Sequence, residues 1–529
     1  MTTHTKAAAH TTPTQAGGAG VPSHLLHTTQ AGGAGVPARL LHTTQAGGAG
    51  VPSHLFHTTQ AGGAGVPSHL FHTTQAGGAG VPAHLLHTTP TQAADILITG
   101  AHVIDPASKL NKHADIAIRH CTIAAIGKKL PRTPGVHVID ATGCYATPGL
   151  IDPHVHLREP GNERAETIAT GTLAGVAGGV TTLCCMPNTT PCLDNDVMMR
   201  SVLDRARQTG ACRVYPVGAA TRGRKGEQLA EIQLMHRAGA CAFSDDGDCV
   251  SSAAIMQRVL ATVATTGKAF MQHCQDHQLS NAGVMHAGTL STKLGLAGWP
   301  RAAEEIVIDR DLRLNASINC RYHVQHLSSG GSIPILRAAR KAALPVTAEA
   351  TPHHLLLTCD NIDTSGYDTR YKMNPPLREQ SDIDAIKHAI ADGTITVLAT
   401  DHAPHTHESK LLPFDAATFG IVGLETALAL YIQALIADGV VNWPRLIDML
   451  TLQPARLCNL DHLGLGQLTV GGPADVTIID PNEQWTITDD DLVGQSKNTP
   501  FLGRKVVGRA ITTIVAGQIK MNRRPLVPA

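Results

Sequence analysis

His154 and His156 stand two residues apart in PGLIDPHVHLREPG (Pro148 to Gly161), at the end of the apolar run Ala146 to Ile151. Side chains two apart along a strand share a face, so both imidazoles can reach one metal ion. At the C-terminal end of a buried strand the pair occupies the place where parallel α/β folds collect their chemistry. An isolated His-x-His is more often a pair of solvated or hydrogen-bonded histidines, so its meaning depends on what converges with it. Asp245 and Asp246 end a further apolar run, as do His273, His326 and Asp401, the last with His402 and His405 just beyond. Four imidazoles and two carboxylates suit one or two borderline divalent ions, Zn²⁺ first, with Mn²⁺ or Co²⁺ as substitutes. The residues alone leave open which aspartate of the pair binds, and they make His402 and His405 weaker candidates as ligands than as supporting or substrate-contacting groups.

A metal ion with an open position lowers the pKa of bound water from 15.7 to about 7, which makes a solvent-derived nucleophile available at neutral pH. Asp401 is placed to accept that proton and hand it to a leaving nitrogen. Arg158, two residues after His156, shares its face and can clamp a substrate carboxylate bidentately. The competing reading of Arg158 is a surface ion pair with Glu159 or Glu163. Asn188 in MPN and Asn374 in MNPP offer amide donors on the same side, and each could instead cap a turn.

These residues need a scaffold that brings strand ends together. From Pro148 to about residue 464 the chain alternates strand and helix, with strands expected at ATPGLIDPHVH, VTTLCCMPN, CRVYPVGAA, CAFSDDG, AFMQHC, YHVQHLS, PVTAEATPHH and ITVLATDHA. Eight apolar strands with helical crossovers fit a (β/α)8 TIM-like barrel; pattern alone also permits a doubly wound open sheet. Residues 95–147 and 465–529 share a different grammar of short β-rich runs broken by Gly, Asn and Pro. This predicts a small β-sandwich domain, antiparallel in character, formed from both ends of the ordered region, with the barrel (148–464) inserted. Residues 1–94 form a third region. Five near-identical copies of a fifteen-residue unit, QAGGAGVPSHLLHTT, start at Gln15, Gln30, Gln45, Gln60 and Gln75. Glycine clusters and a proline in each copy predict a disordered, low-complexity arm rather than a domain. Four copies carry His-x-x-His, as at His24 and His27, but the second has Arg39 in the first place, and no fixed scaffold would close a metal site there.

In the 529-residue chain Lys plus Arg equals Asp plus Glu at 42 each, so no global charge draws it to nucleic acid or an anionic membrane. Aromatic content of 3 % argues against a stacking surface for single strands. No apolar run approaches the roughly 20 residues needed to span a bilayer. Twelve scattered cysteines without a C-x-x-C pair, and no signal-peptide pattern, point to a reducing cytoplasm.

In order and spacing, PGLIDPHVHLREPG, CMPNTTP, AFSDDG, HVQHLS, TAEATPHHLLLT, YKMNPPLR, ATDHAPH and FGIVGLETA resemble the bacterial class I dihydroorotases of the amidohydrolase superfamily, over about Asp95 to Lys520. The resemblance implies reversible cyclisation of N-carbamoyl-L-aspartate to L-dihydroorotate, a step of pyrimidine synthesis. It implies one or two zinc ions held by His154, His156, Asp246, His273, His326 and Asp401, with Asp246 in the bridging position where hydantoinases and allantoinases use a carboxylated lysine. It implies Arg158, Asn188 and His405 on the substrate carboxylate, Asn374 on the ring, and Phe419 and Gly420 meeting the ring through backbone groups. Thr418 stands where the family usually has proline. A small-molecule substrate, a homodimer and an association with aspartate transcarbamoylase are the partners it implies. The rival readings are another cyclic amidohydrolase, allantoinase or dihydropyrimidinase, and an inactive dihydroorotase-like subunit of aspartate transcarbamoylase. Arg158 and the strand-four aspartate weigh against the first, the intact set of six ligands against the second.

Overall fold

The computed structural model describes residues 95–525; the repeat arm expected over 1–94, with its histidines, lies outside the described residues. Seven short strands come first: β1 (Ile96–Thr99), β2 (His102–Asp105), β3 (Leu110–His113), β4 (Asp115–Arg119), β5 (Thr122–Gly127), β6 (His137–Asp140) and β7 (Tyr145–Pro148). Next are β8 (Leu150–Val155), β9 (Val180–Cys185), β10 (Arg213–Pro216) and β11 (Ala269–Gln272). A two-residue pair, β12 (Met285–His286) and β13 (Gly298–Trp299), precedes β14 (Arg321–Val324), β15 (Val346–Ala350) and β16 (Val397–Leu398). The order ends with β17 (Val476–Thr486), β18 (Lys505–Val515) and β19 (Gln518–Asn522).

The two ends of the described chain build two sheets, β5-β4-β1-β6 and β19-β18-β17-β7-β2-β3. Ile98, Ile116 and Ile118 of the first sheet and Val103, Ala146, Ile478 and Ile514 of the second meet in one buried apolar cluster. Alternating side chains thus give each sheet an inner face against the other. Most pairs are antiparallel, but β1 with β6 and β2 with β7 are parallel. Other strands of the domain intervene between these partners, which lets the chain return in the same direction.

The run Ala146 to Ile151, expected as one strand, is two. Tyr145–Pro148 pairs antiparallel with β17, whereas Leu150–Val155 pairs parallel with β9. Gly149 lies at the break, and a Cβ there would sit 2.1 Å from Thr181 Oγ1. The chain crosses from sandwich to barrel where no side chain fits.

The barrel consists of two parallel arcs, β10-β9-β8 and β11-β14-β15-β16. They join through CAFSDDG. This segment, expected as a full fourth strand, is short: ladder bonds run only from Cys241 N–H to Ser244 N–H, and Phe243 bridges in parallel to Gly218 on one side and Phe270 on the other. Asp245 and Asp246 turn away at once: the Asp245 carboxylate accepts from the backbone N–H of Ala220 and Thr221, and Asp246 N–H donates to Ser244 Oγ. The ring closes where Val155 bridges in parallel to His402 and His156 N–H donates to His402 O at 2.9 Å. All six residues of β8 and all six of β9 are buried, as expected for strands covered on both faces. Outside the ring, the helix Ile168–Ala177 is capped by Thr167 and the helix Asp196–Thr209 by Asn195, side chains that satisfy first-turn N–H groups. Residues 487–504 cross the barrel mouth, where Val422 N–H donates to Asn498 O. Among the described residues no helix is long and apolar enough to cross a membrane.

Candidate active site

The C-terminal ends of the barrel strands bring six of the sequence-derived residues together. His154 Nε2 lies 3.4 Å from Asp246 Oδ1 and 3.5 Å from Asp401 Oδ1, and His156 Nε2 lies 3.0 Å from Asp401 Oδ1 and 3.5 Å from Asp246 Oδ2. His273 Nδ1 is 3.3 Å and His326 Nε2 3.5 Å from Asp246 Oδ1. Asp246 therefore stands between two groups of imidazoles, which places it in the cluster and leaves Asp245 outside, holding the turn. His402 is also outside: Gly423 N–H donates to its Nδ1, and its Nε2 faces Glu166 at 3.5 Å.

The hydrogen bonds fix which nitrogens face the cluster. His154 Nδ1–H donates to Glu349 Oε1 at 2.6 Å, and His156 Nδ1–H donates to Asn188 Oδ1 at 2.9 Å. His273 Nε2–H donates to Gln275 Oε1 at 2.9 Å. In each ring this turns the second nitrogen towards the carboxylates, the orientation from which a neutral imidazole ligates metal. His154 Nε2 and Asp246 Oδ1 are buried with no hydrogen-bond partner, an expensive condition that a cation between them relieves. His154, His156 and Asp246 place ligand atoms within 4.8 Å of one another, and so do Asp246, His273 and His326. Four imidazoles and two carboxylates fit a borderline divalent cation.

The electrostatics follow from burying opposite charges together. Burial opposes a charged His154, yet Asp246, Asp401 and Glu349 outweigh it and hold the imidazole well above its ordinary value. Burial dominates for His156, which is lowered although Asp401 pulls the other way. Both site aspartates are held below the usual carboxylate range: burial would raise them, but the facing histidines prevail. Glu349 falls to about 2 in the same way, burial being overcome by His154 and His323.

Above the cluster a cavity of about 170 Å³ is lined by every site residue the resemblance implies except the buried His154. Arg158 adopts a left-handed backbone (φ 58°), donates from Nε to Pro404 O at 3.1 Å and brings Nη2 within 3.4 Å of His405 Nε2. Glu159 is taken by Arg205, and Glu163 accepts from Gly161 N–H, so the ion pairs expected as the competing reading do not form. Burial lowers the Arg158 guanidinium to about 10, still fully charged at neutral pH. Burial, then the neighbouring Arg158 charge, pushes His405 down to about 2, so it faces the cavity as a neutral imidazole. Asn188 is engaged with His156, and Asn374 donates to Gln275 Oε1 at 3.2 Å while its own Oδ1 is buried without a partner.

The Phe419–Gly420 loop is tied down without a proline at Thr418. Lys410 Nζ donates to Thr418 O and Thr369 O, Gly420 N–H donates to Lys372 O, and Lys372 Nζ sits 4.4 Å from the Phe419 ring centre. Gly420 has φ 147°, and a Cβ there would lie 2.6 Å from the His405 ring and 2.7 Å from Ala403 O, so only glycine fits.

Four residues escaped the sequence reading. Glu349 lies in TAEATPHH, His323 donates to its second oxygen at 3.0 Å, Gln275 supports His273 and Asn374 together, and Asn498 donates to both Ala403 O and Gly420 O. A carboxylate inside the apolar run PVTAEA was the available signal for Glu349. Asn498 offered none, since it reaches the mouth from far along the chain.

A closed parallel barrel with a histidine and carboxylate cluster beneath a mouth cavity defines the amidohydrolase class of enzymes. A family model described as dihydro-orotase-like matches residues 143–332, and one described as amidohydrolase family matches 320–520. The dihydroorotase of Trichlorobacter lovleyi is 43 % identical over 430 residues, 81 % of this chain and 100 % of the relative. That of Pelotomaculum thermopropionicum is 45 % identical over 429 residues, 81 % of this chain and 99 % of the relative. Among solved structures, the L-hydantoinase (dihydropyrimidinase) of Arthrobacter aurescens superposes with a TM-score of 0.73 at 23 % identity, covering 82 % of this chain and 97 % of that one. The D-hydantoinase (dihydropyrimidinase) of a Thermus species gives a TM-score of 0.70 at 26 % identity, covering 82 % and 96 %. The chain belongs to the dihydroorotase family.

Proposed function

We propose that this protein is a dihydroorotase that interconverts N-carbamoyl-L-aspartate and L-dihydroorotate, with zinc held by His154, His156, Asp246, His273, His326 and Asp401. The observation that carries this reading is the pairing of that cluster with Arg158, a guanidinium that lines the same cavity and has no ion-pair partner among the described residues. Relatives named dihydroorotase over their whole length support it. The absence of lysine from the lining of the cavity favours it over the hydantoinase-like alternatives, which the fold alone would allow.

Bound metal would polarise the scissile carbonyl and make water nucleophilic at neutral pH. The chain's own residues do the rest. In ring opening water adds to the amide carbonyl carbon, and Asp401 accepts the water proton and delivers it to the ring nitrogen as the C–N bond breaks. In ring closure the ureido nitrogen attacks the side-chain carboxyl, gives a proton to Asp401, and that proton leaves with oxygen as water. Arg158, with Asn188 and neutral His405, holds the substrate carboxylate; Asn374 and the backbone of Phe419 and Gly420 hold the ring. A bidentate guanidinium orients the substrate as well as binding it, which is how a fixed geometry shortens the path to reaction.

All twelve cysteines are free thiols, which supports a reducing cytoplasmic setting. Homodimerisation and association with aspartate transcarbamoylase belong to the same proposal, on the strength of the resemblance. Turnover of L-dihydroorotate and N-carbamoyl-L-aspartate by the purified full chain, set beside hydantoin and allantoin, tests the reading: preference for either of the latter overturns it.

A further inference from the structure

Beneath the histidine cluster the barrel interior holds three thiols with no role in the reaction. Cys184 comes from β9, Cys241 from the start of the Phe243 segment and Cys458 from the turn after the helix Leu452–Leu457, which packs against β8 and β16. Their sulfur atoms all lie within 4.8 Å of one another and none is more than 2 % exposed. The surrounding walls are apolar, with Ile151, Val217, Met271 and Leu457 in the same buried cluster. Cys241 Sγ donates to Tyr215 O at 3.6 Å.

A buried cysteine ordinarily packs as a small hydrophobe. Three from sequence-distant elements, aimed at one point, are a different arrangement, because thiolates are soft ligands and select soft cations over the hard or borderline ions suited to the mouth. Sulfurs placed about 2.3 Å from a common ion in a plane are about 4 Å from each other, so the triad needs to close by less than an ångström. We propose that Cys184, Cys241 and Cys458 form a second, three-coordinate metal site for a soft monovalent cation of the Cu(I) type.

Charge favours a monovalent ion. Replacing one S–H proton with a singly charged cation leaves the dry site neutral, whereas a divalent ion must expel two protons and seeks a fourth donor that the walls do not supply. Binding forms a metal–Sγ bond at one of the three cysteines, sends its proton to solvent and takes lone pairs from the other two sulfurs, with no change of oxidation state. A bound ion would tie β9, the Phe243 segment and the C-terminal helix together.

The test uses the full chain with its mouth metal in place, purified anaerobically from cells grown with and without added copper, and titrated with Cu(I) held by a competing chelator. Expected are one tightly held Cu(I) per chain, three sulfur neighbours by X-ray absorption, and a thermal midpoint that rises on loading. Cys241→Ala, and separately the slightly larger but apolar Cys458→Val, should weaken binding by more than the roughly hundredfold that loss of a merely supporting group costs. Exposed Cys121→Ser should change nothing, and turnover of each variant reports that it has folded. Equal Cu(I) affinity in the parent and in a folded triad variant overturns the proposal; so does zinc in the triad in place of copper, or no ion in either preparation.

Discussion

Glu349 Oε1 accepts the Nδ1–H of His154 at 2.6 Å, in the interior of the barrel where neither side chain is exposed. The bond commits one nitrogen of the imidazole to a carboxylate and turns the other towards Asp246 and Asp401. Because His323 donates to the second oxygen of Glu349, the carboxylate cannot swing away. The orientation of the His154 ring is thus set from below by residues that never meet the substrate. Glu349→Gln keeps the shape but loses the charge-assisted bond, and metal affinity should fall about 10- to 100-fold. Metal retained against a graded chelator series measures this; retention equal to the parent would show that Glu349 does not hold the ring.

Arg158 brings a charged guanidinium to the cavity, where the proposed mechanism has it hold the substrate carboxylate. Arg158→Lys replaces a planar fork with a point charge, and a loss of about 2 kcal/mol, roughly thirtyfold in kcat/KM, should fall mainly on KM. Steady-state kinetics in both directions read it. A normal KM would remove Arg158 from carboxylate recognition.

Asp401→Asn retains the volume while removing the proton acceptor. Turnover should fall by about 10²- to 10⁴-fold with the thermal midpoint little changed. Near-normal turnover would refute the proton transfer assigned to this carboxylate.

His286 provides a stability test remote from the metal cluster. Burial, then the Arg378 and Arg301 charges, lower its imidazole from 6.5 to about 4. The unfolded chain binds a proton below 6.5 that the folded one refuses until about 4, so the contribution of neutral His286 is complete above 6.5 and lost as pH falls through that window. The slope is at most about 1.4 kcal/mol per pH unit. His286→Gln should flatten the fall in thermal midpoint between those pH values; an unchanged slope contradicts the assignment.

Much of this was legible from residue types and spacing. His154 and His156 on one face, and aspartates or histidines at the ends of further apolar runs, were enough to expect a common centre, because a parallel barrel delivers all strand ends to one rim. Fine structure was less so. CAFSDDG reads as a strand by composition, yet Ser244 and Asp245 side chains satisfy nearby N–H groups and the backbone leaves the ladder after Ser244. Ala146 to Ile151 reads as one apolar run, because nothing in hydrophobicity marks the crossing at Gly149. The choice between Asp245 and Asp246 required knowing which side of the turn faces inward. Glu349 was passed over because one acidic residue in a short apolar run says nothing of its partner 195 positions away.

The central claim, that a metal held by the His154 to Asp401 cluster drives dihydroorotate ring opening and closure, is tested most directly by stripping and restoring that metal. The purified full chain should convert L-dihydroorotate to N-carbamoyl-L-aspartate and back, lose turnover on dialysis against a strong chelator, and regain it on addition of stoichiometric Zn²⁺. Undiminished turnover in the metal-free protein, or none in the zinc-loaded protein, would contradict the account.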